Sequence, residues 1–231
     1  MNNSFRFKKF TVKQSSSVFK IGTDSVLLGC LADISDARSI LDIGTGTGVL
    51  SLICAQKNPQ AQITAIDSEK DACCLAGENI ENSPFSSNIS LIHSDLQNFT
   101  PCKQFDYIIC NPPYFKVSEQ LHRKHSIARQ QLKLDYFSLV KKSKLLLSEK
   151  GKIGYIFPFE NEKELLDISD SLCLFPERIV HIRGIRNGKI RRTFLELSHK
   201  EQEVQPEEFY IEESPRIGSE MYRNLTSDFY L

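Results

Sequence analysis

The chain has 231 residues, 40% of them hydrophobic, enough to build a real core in one large domain. Lys plus Arg and Asp plus Glu stand at 29 each, so net charge says nothing about a nucleic-acid partner. No apolar run approaches a membrane span and the first residues lack a signal peptide's apolar region. The seven cysteines include no C-x-x-C pair, which speaks against zinc and a disulfide framework. A cytoplasmic protein with no metal and no membrane contact is expected, with a monomer favoured. The charge is unevenly spread: residues 201–231 hold eight acids and two bases, leaving 27 bases and 21 acids before them. A basic body with an acidic tail hints at a polyanionic partner.

Residues 1–20 interleave Arg6, Lys8, Lys9, Lys13 and Lys20 with Phe5, Phe7, Phe10, Val12 and Phe19, the partial alternation of a short β segment with a basic face. Thr23 or Asp24 reads as the cap of a helix running through Ser25 to Ala32; Asp24 could also hold a ligand, and spacing alone favours the cap. Ser39–Ile43 is a strand that enters Gly44-Thr45-Gly46-Thr47-Gly48, with Asp42 two residues before the first glycine and a helix from Val49 to Gln56 after the last. Glycine at such a joint lets the backbone approach a nucleotide-like ligand. The third glycine comes one residue too early for a dinucleotide fingerprint, so the loop is taken as the S-adenosylmethionine variant. The next strand, Gln62–Ile66, ends at Asp67, which either caps the following helix or, as preferred after such a loop, binds both ribose hydroxyls.

A third strand at 88–93 leads to Asp95, placed to meet the cofactor's adenine, while His93 reads as a plain strand residue. A fourth strand, Phe105–Cys110, delivers Asn111-Pro112-Pro113-Tyr114 at its carboxyl end, where open α/β sheets bind ligands. These residue types are ordinary turn formers. They also suit the holding of a planar NH2 group. The Asn111 side-chain oxygen and the Pro112 carbonyl can each accept one of its hydrogens, and Tyr114 offers a stacking face. Residues 115–134 are expected to carry a basic substrate loop, including Arg129, before a helix over 134–147 that stops at Gly151. Strands at 152–157, 178–183 and 190–197 follow, with a helix over 160–172 after the first of them. An Asn187-Gly188 hairpin joins the last two strands and is ringed by Arg183, Arg186, Lys189, Arg191 and Arg192. These bases could grip phosphates or protect a solvated edge. The acidic tail is expected to pack loosely apart from a short strand at 209–211 and a docked apolar end.

This order of strand, glycine loop, acids and Asn-Pro-Pro-Tyr resembles the class I S-adenosylmethionine-dependent methyltransferases that act on amino groups. Phe5–Phe10, Gln14, Lys20–Asp24, Cys110–Phe115, Ala128-Arg129 and Asp228–Leu231 narrow the resemblance to the bacterial tRNA1(Val) adenine-37 N6-methyltransferase family, over essentially the whole chain. Ser25 stands where glycine is expected after Thr-Asp, a small departure. The resemblance implies a Rossmann-like α/β fold with a mostly parallel seven-stranded sheet and helices on both faces. It implies one methyltransferase domain over 1–231, comprising an extension at 1–38, a core at 39–200 and the acidic tail at 201–231. It also implies that S-adenosylmethionine lies across Asp42, Gly44, Gly46, Asp67, Asp95 and Asn111, with Lys20, Thr23 and Asp24 closing over it. A tRNA adenosine would be flipped onto Asn111, Pro112 and Tyr114. Arg129 and the hairpin bases would hold the RNA. Rival readings are a protein glutamine N5-methyltransferase, which usually carries an N-terminal helical domain that this chain has no room for, a small-molecule methyltransferase, and a noncatalytic nucleic-acid-binding module.

Overall fold

The computed structural model describes residues 4–18, 21–112 and 135–230. Two short strands, β1 (Ser4–Arg6) and β2 (Thr11–Lys13), form an antiparallel hairpin outside the main sheet. Helix α1 (Thr23–Leu31) follows, then the alternation of β3 (Ser39–Ile43), α2 (Val49–Lys57), β4 (Gln62–Asp67), α3 (Lys70–Glu81), β5 (Ile89–His93) and β6 (Phe105–Cys110). From residue 135 onward come α4 (Tyr136–Leu146), β7 (Leu147–Pro158), α5 (Glu162–Ser171), β8 (Phe175–Ile185) and β9 (Ile190–Ser198). The tail adds β10 (Glu207–Ser214), β11 (Ile217–Gly218) and α6 (Glu220–Thr226).

The strands order as β11-β10-β8-β9-β7-β6-β3-β4-β5. Among the described residues this is a nine-stranded sheet, two more than expected, and the extra pair comes from the tail. β10 lies parallel to β8, with Phe209 level with Ile182, and β11 folds back on β10. The tail is therefore packed rather than loose. Its acidic composition is that of a strand whose carboxylates, Glu207 and Glu208, face Arg178 and Arg183 on its neighbour β8. Five pairings, from β5 through β4, β3 and β6 to β7 and again β8 with β10, are parallel; β9 is inserted antiparallel to both β7 and β8.

Side-chain alternation gives the sheet two buried faces. Ile40, Ala65 and Ile109 join the core beneath α1, α2 and α3, while Leu41, Ile66 and Ile108 join the core beneath α4 and α5. Two N-terminal caps match sequence logic: Asp135 accepts from Ser138 N at 2.7 Å and Ser219 from Tyr222 N at 3.0 Å. Gly151 is not the expected helix stop. Helix α4 passes directly into β7, and an added Cβ at Gly151 would come within 2.9 Å of the Phe105 carbonyl, where the β6–β7 register slips. The N-terminal hairpin region meets residues 229 and 230. The Phe7 ring stacks on Tyr230 at 5.9 Å, Lys8 N donates to Phe229 O at 2.8 Å, and α1 packs against α6.

Candidate active site

Two strands paired in register deliver the centre of the site. Ile43 of β3 lies level with Cys110 of β6. The next residues, Gly44 and Asn111, therefore leave the sheet side by side at its carboxyl edge. β4 and β5 extend the sheet from β3 in one direction, β6 and β7 in the other. Such a reversal opens a crevice for a ligand.

The glycine loop is clamped at its base, where Gly44 N and Thr45 N donate to Ile66 O at 2.9 and 3.0 Å. Gly44 has φ +72°, a left-handed conformation that L side chains rarely adopt, and an added Cβ would meet nothing within 4 Å. Backbone conformation, not crowding, calls for glycine there, and the space beside it is open to a ligand. Gly46 and Gly48 are left-handed as well.

Behind the loop Asp42 is fully buried. Thr45 Oγ1 and Ser51 Oγ both donate to its Oδ2 at 2.6 Å, while Oδ1 is buried with no partner among the described residues. Burial pushes the Asp42 carboxyl up to about 6, opposed by the two hydroxyls and reinforced by the charge of Asp67. Asp67 receives Gly46 N–H on Oδ2 at 2.8 Å and Glu69 N–H on Oδ1 at 2.9 Å. It thus braces the glycine loop and turns the chain toward α3, and each oxygen keeps a further lone pair. Asp95 is exposed and holds its own turn, accepting from Asn98 N at 2.9 Å and Asn98 Nδ2 at 2.7 Å. The Asn98 backbone N–H draws its carboxyl below the usual range.

The start of α1 departs from expectation. Its N-cap is Gly22, without a side-chain cap, so neither Thr23 nor Asp24 caps it. Asp24 instead accepts from Arg192 Nε at 2.8 Å. The neighbouring Ser25 receives Asn111 Nδ2 at 2.9 Å. Asn111 is half-buried and Pro112 buried. Lys20, Pro113, Tyr114 and Arg129 lie outside the described residues.

The β8–β9 turn lies at the same carboxyl edge, because Arg192 is level with Pro158 at the end of β7. Its bases are not a uniform cluster. Arg183 pairs with Glu208 at 2.8 Å, Arg186 with Glu213 at 2.5 Å and Arg192 with Asp24. Among the described residues Lys189 and Arg191 pair with no carboxylate, and both flank a hollow of about 450 Å³ that also touches Gly184, Ile185 and Ile211. The tail's acids therefore neutralise part of the surface expected to grip phosphate.

Sequence reasoning missed three supporting residues. Ser51 hides in an apolar helical run, Ser25 reads as a minor departure, and Asn79 reads as helix surface. Asn79 is buried, accepts from Lys13 N at 2.8 Å and donates to Thr47 O at 2.9 Å, which ties β2 to the glycine loop. Only a buried asparagine on a helix otherwise lined by Ala72, Ala76 and Ile80 could have marked it.

An open sheet in this strand order, with an acid-braced glycine loop after one central strand and an amide after its neighbour, defines a class I methyltransferase. The family model described as the methyltransferase small domain matches residues 9–158. A tRNA1(Val) (adenine(37)-N6)-methyltransferase from a Flavobacteriaceae bacterium is 42% identical over 227 residues, 98% of this chain and 97% of that relative. One from Parabacteroides distasonis is 36% identical over 234 residues, 100% of this chain and 98% of its own length. A solved structure described as a predicted O-methyltransferase from Agrobacterium tumefaciens shares the fold, with a TM-score of 0.71 at 16% identity over 89% of this chain and 96% of that one. The chain belongs to the tRNA1(Val) (adenine(37)-N6)-methyltransferase family.

Methyltransferases of this family imply S-adenosylmethionine, and the residues present fit it. Two carboxylates, Asp42 and Asp67, stand behind the loop and make its mouth favourable to a cationic ligand. The open face of Gly44 leaves room for one. Among the described residues no group of three His, Cys, Asp or Glu could hold a metal ion, and no helix is long and apolar enough to cross a membrane.

Proposed function

We propose that the chain transfers a methyl group from S-adenosylmethionine to the N6 amine of adenosine 37 in tRNA1(Val), the reaction in the names of its relatives. The observation that carries this reading is the paired exit of Gly44 and Asn111 from β3 and β6. S-adenosylmethionine supplies an activated methyl group when bound. Gly44, Gly46 and Asp67 would hold it, with Asp42 acting from behind the loop through Thr45 and Ser51, Thr23 and Asp24 near the start of α1 and Lys20 before it; Asp95 would serve the adenine end only by giving up part of its turn. Asn111 accepts one hydrogen of the target amine through its side-chain oxygen, and the Pro112 carbonyl accepts the other. Tyr114 stacks on the flipped base. Two acceptors on one NH2 group aim the nitrogen lone pair away from them, toward the methyl group. As the new bond forms, positive charge grows on N6, so both contacts strengthen in the transition state. The carbon–nitrogen bond would form as the carbon–sulfur bond of the sulfonium breaks, the amine would then give its extra proton to solvent, and positioning does most of the catalytic work.

Lys189, Arg191 and Arg129 would meet the tRNA backbone. Such a substrate is met in the cytoplasm, where the seven free thiols suit a reducing medium. The glutamine, small-molecule and noncatalytic readings have no support from the relatives. Incubating the chain with tRNA and labelled cofactor, followed by mass-spectrometric nucleoside profiling, tests the proposal. Labelled N6-methyladenosine is expected among the nucleosides; label in a different nucleoside, or no transfer at all, would overturn it.

A further inference from the structure

We infer that the hollow at the β8–β9 turn is a subsite for one unstacked nucleotide of the substrate RNA, its phosphate on Lys189 and Arg191 and its base against Ile185 and Ile211. The inference deepens the proposed function and rests on it. The hollow has a volume of about 450 Å³, within the range of roughly 300–1,000 Å³ typical of sites for small organic ligands. Its walls differ in kind. Lys189 and Arg191 belong to the turn and β9, Gly184 and Ile185 to the end of β8, Ile211 and Glu212 to β10. Because β8 lies between β9 and β10, the cations and the carboxylate come from opposite sides of it, two strand spacings or about 10 Å apart. A bare anion would meet the Glu212 charge as well as the two cations. A nucleotide suits every wall: phosphate on the cations, base on the isoleucines, and a base N–H donating to Glu212. Glu212 Oε2 accepts from Arg216 N at 3.2 Å, and a carboxylate accepts more than one donor.

The backbone is shaped for such an occupant. Ile182 is level with Arg192 and Arg183 with Ile190, so Arg191 is the extra residue of a bulge in β9. Bulges re-aim a side chain out of the strand's alternation. Lys189 and Arg191 are exposed, and neither pairs with a carboxylate among the described residues. An added Cβ at Gly184 would meet nothing within 4 Å, which leaves that wall bare. The hollow also lies at the carboxyl edge that carries Asn111. From β8 through β9 and β7 to β6 is three strand spacings, about 14 Å. A few nucleotides of single strand cover that span, so a neighbour of the flipped adenosine in the anticodon loop can reach it.

The test is binding of full-length tRNA in which a single abasic nucleotide is moved in turn through the anticodon loop, by wild type and Gly184→Leu, with methylation of intact tRNA measured alongside. The leucine takes space from the hollow without displacing a neighbour. For wild type, one abasic position other than the target should weaken binding by about tenfold, the scale of one lost charge-assisted contact. Gly184→Leu should weaken binding of intact tRNA by a similar factor and lose nothing more at that abasic position, since the two changes remove the same contact. Its cofactor affinity should stay within about twofold of wild type, which shows that it is folded. In wild type, a photoreactive base at the sensitive position should cross-link within residues 184–191 or 209–212. Equal affinity at every non-target abasic position would overturn the inference and leave the hairpin as a grip on the RNA backbone alone. Fully additive losses, or cross-links elsewhere in the chain, would overturn it too. In each of these cases methylation of intact tRNA by wild type leaves the proposed function standing. If wild type leaves intact tRNA unmethylated, that function falls and takes the inference with it.

Discussion

The Nε of Arg192 donates to Asp24 Oδ2 at 2.8 Å across 168 residues of sequence. The bond ties the start of β9 to the first turn of α1, next to the serine that holds Asn111. Both side chains are partly exposed, so the pair is worth only about 0.2–1 kcal/mol in stability. Its weight lies in placement. Asp24→Asn and Arg192→Gln should each lower the methylation rate, by about three- to tenfold, and the double variant should be no worse than either single one. Tm should move little. Fully additive losses measured in that cycle would show that the two residues act apart.

Among the described residues, the hairpin separates bases that pair with a carboxylate from Lys189 and Arg191, which do not. Changing Lys189 and Arg191 to Gln should weaken tRNA binding and flatten its salt dependence by about one unit of slope for each phosphate no longer gripped. The same changes at Arg183 and Arg186, already neutralised by Glu208 and Glu213, should do less. Glu208→Gln with Glu213→Gln should steepen the slope by freeing both arginines. Salt titrations of tRNA affinity decide the matter, and identical slopes in all three double variants would remove the hairpin from the RNA-binding surface.

Much of this was legible in the sequence. The seven strands from β3 through β9 carry local patterns of apolar residues, and the glycine loop and Asn111 follow their strands directly, so no distant partner was needed to see them. The residues that escaped are those whose meaning lies in a remote neighbour. Glu208 looks like tail charge until β10 runs parallel to β8 and brings it to Arg183. Ser25 looks like a substitution for glycine until β6 brings Asn111 to it. Gly151 looks like a helix stop because the approach of the Phe105 carbonyl cannot be read from spacing.

Buried Asp42 gives a signature in pH. Its carboxyl titrates near 3.8 unperturbed and is pushed up to about 6 in the fold. Between those values the folded chain keeps a proton that the unfolded chain has lost, so this group makes stability fall as pH rises from about 4 to about 6, and its effect is level above that. The full effect is on the order of 3 kcal/mol, since moving a pKa by one costs about 1.4 kcal/mol. Asp42→Asn keeps an oxygen for Thr45 and Ser51 but cannot titrate. Urea unfolding across pH 4–7.5 should show wild type losing stability relative to Asp42→Asn over that window. A constant difference between the two would show that Asp42 does not carry the buried charge assigned to it.

Asp67 braces the loop and, in the proposed function, would hold the ligand as well. Removing its carboxylate in Asp67→Ala leaves Gly46 N–H and Glu69 N–H without their acceptor, a loss of about 1–3 kcal/mol in stability before any ligand is present. S-adenosylmethionine affinity should fall by at least about tenfold, with the ribose contacts and the loop both impaired. Calorimetry with the cofactor, alongside thermal melting of the unliganded variant, measures each loss. Unchanged affinity in a folded, destabilised variant would leave Asp67 as a loop brace alone.

The stacking of Phe7 on Tyr230, with Lys8 bonded to Phe229, also sets an order of events during translation. The hairpin of β1 and β2 leaves the ribosome long before residues 220–230, yet finds one side of its seat only when they emerge. Helix α1 packs against α6 in that same segment, so the helix carrying Ser25 and Asp24 waits as well. A nascent chain already folded through β7 would display the glycine loop and Asn111 beside a first helix not yet held down. The expectation is that chains arrested before residue 220 expose the N-terminal hairpin to protease and methylate nothing, and that competence arrives with residues 220–230; protease resistance and activity in such arrested chains would refute it.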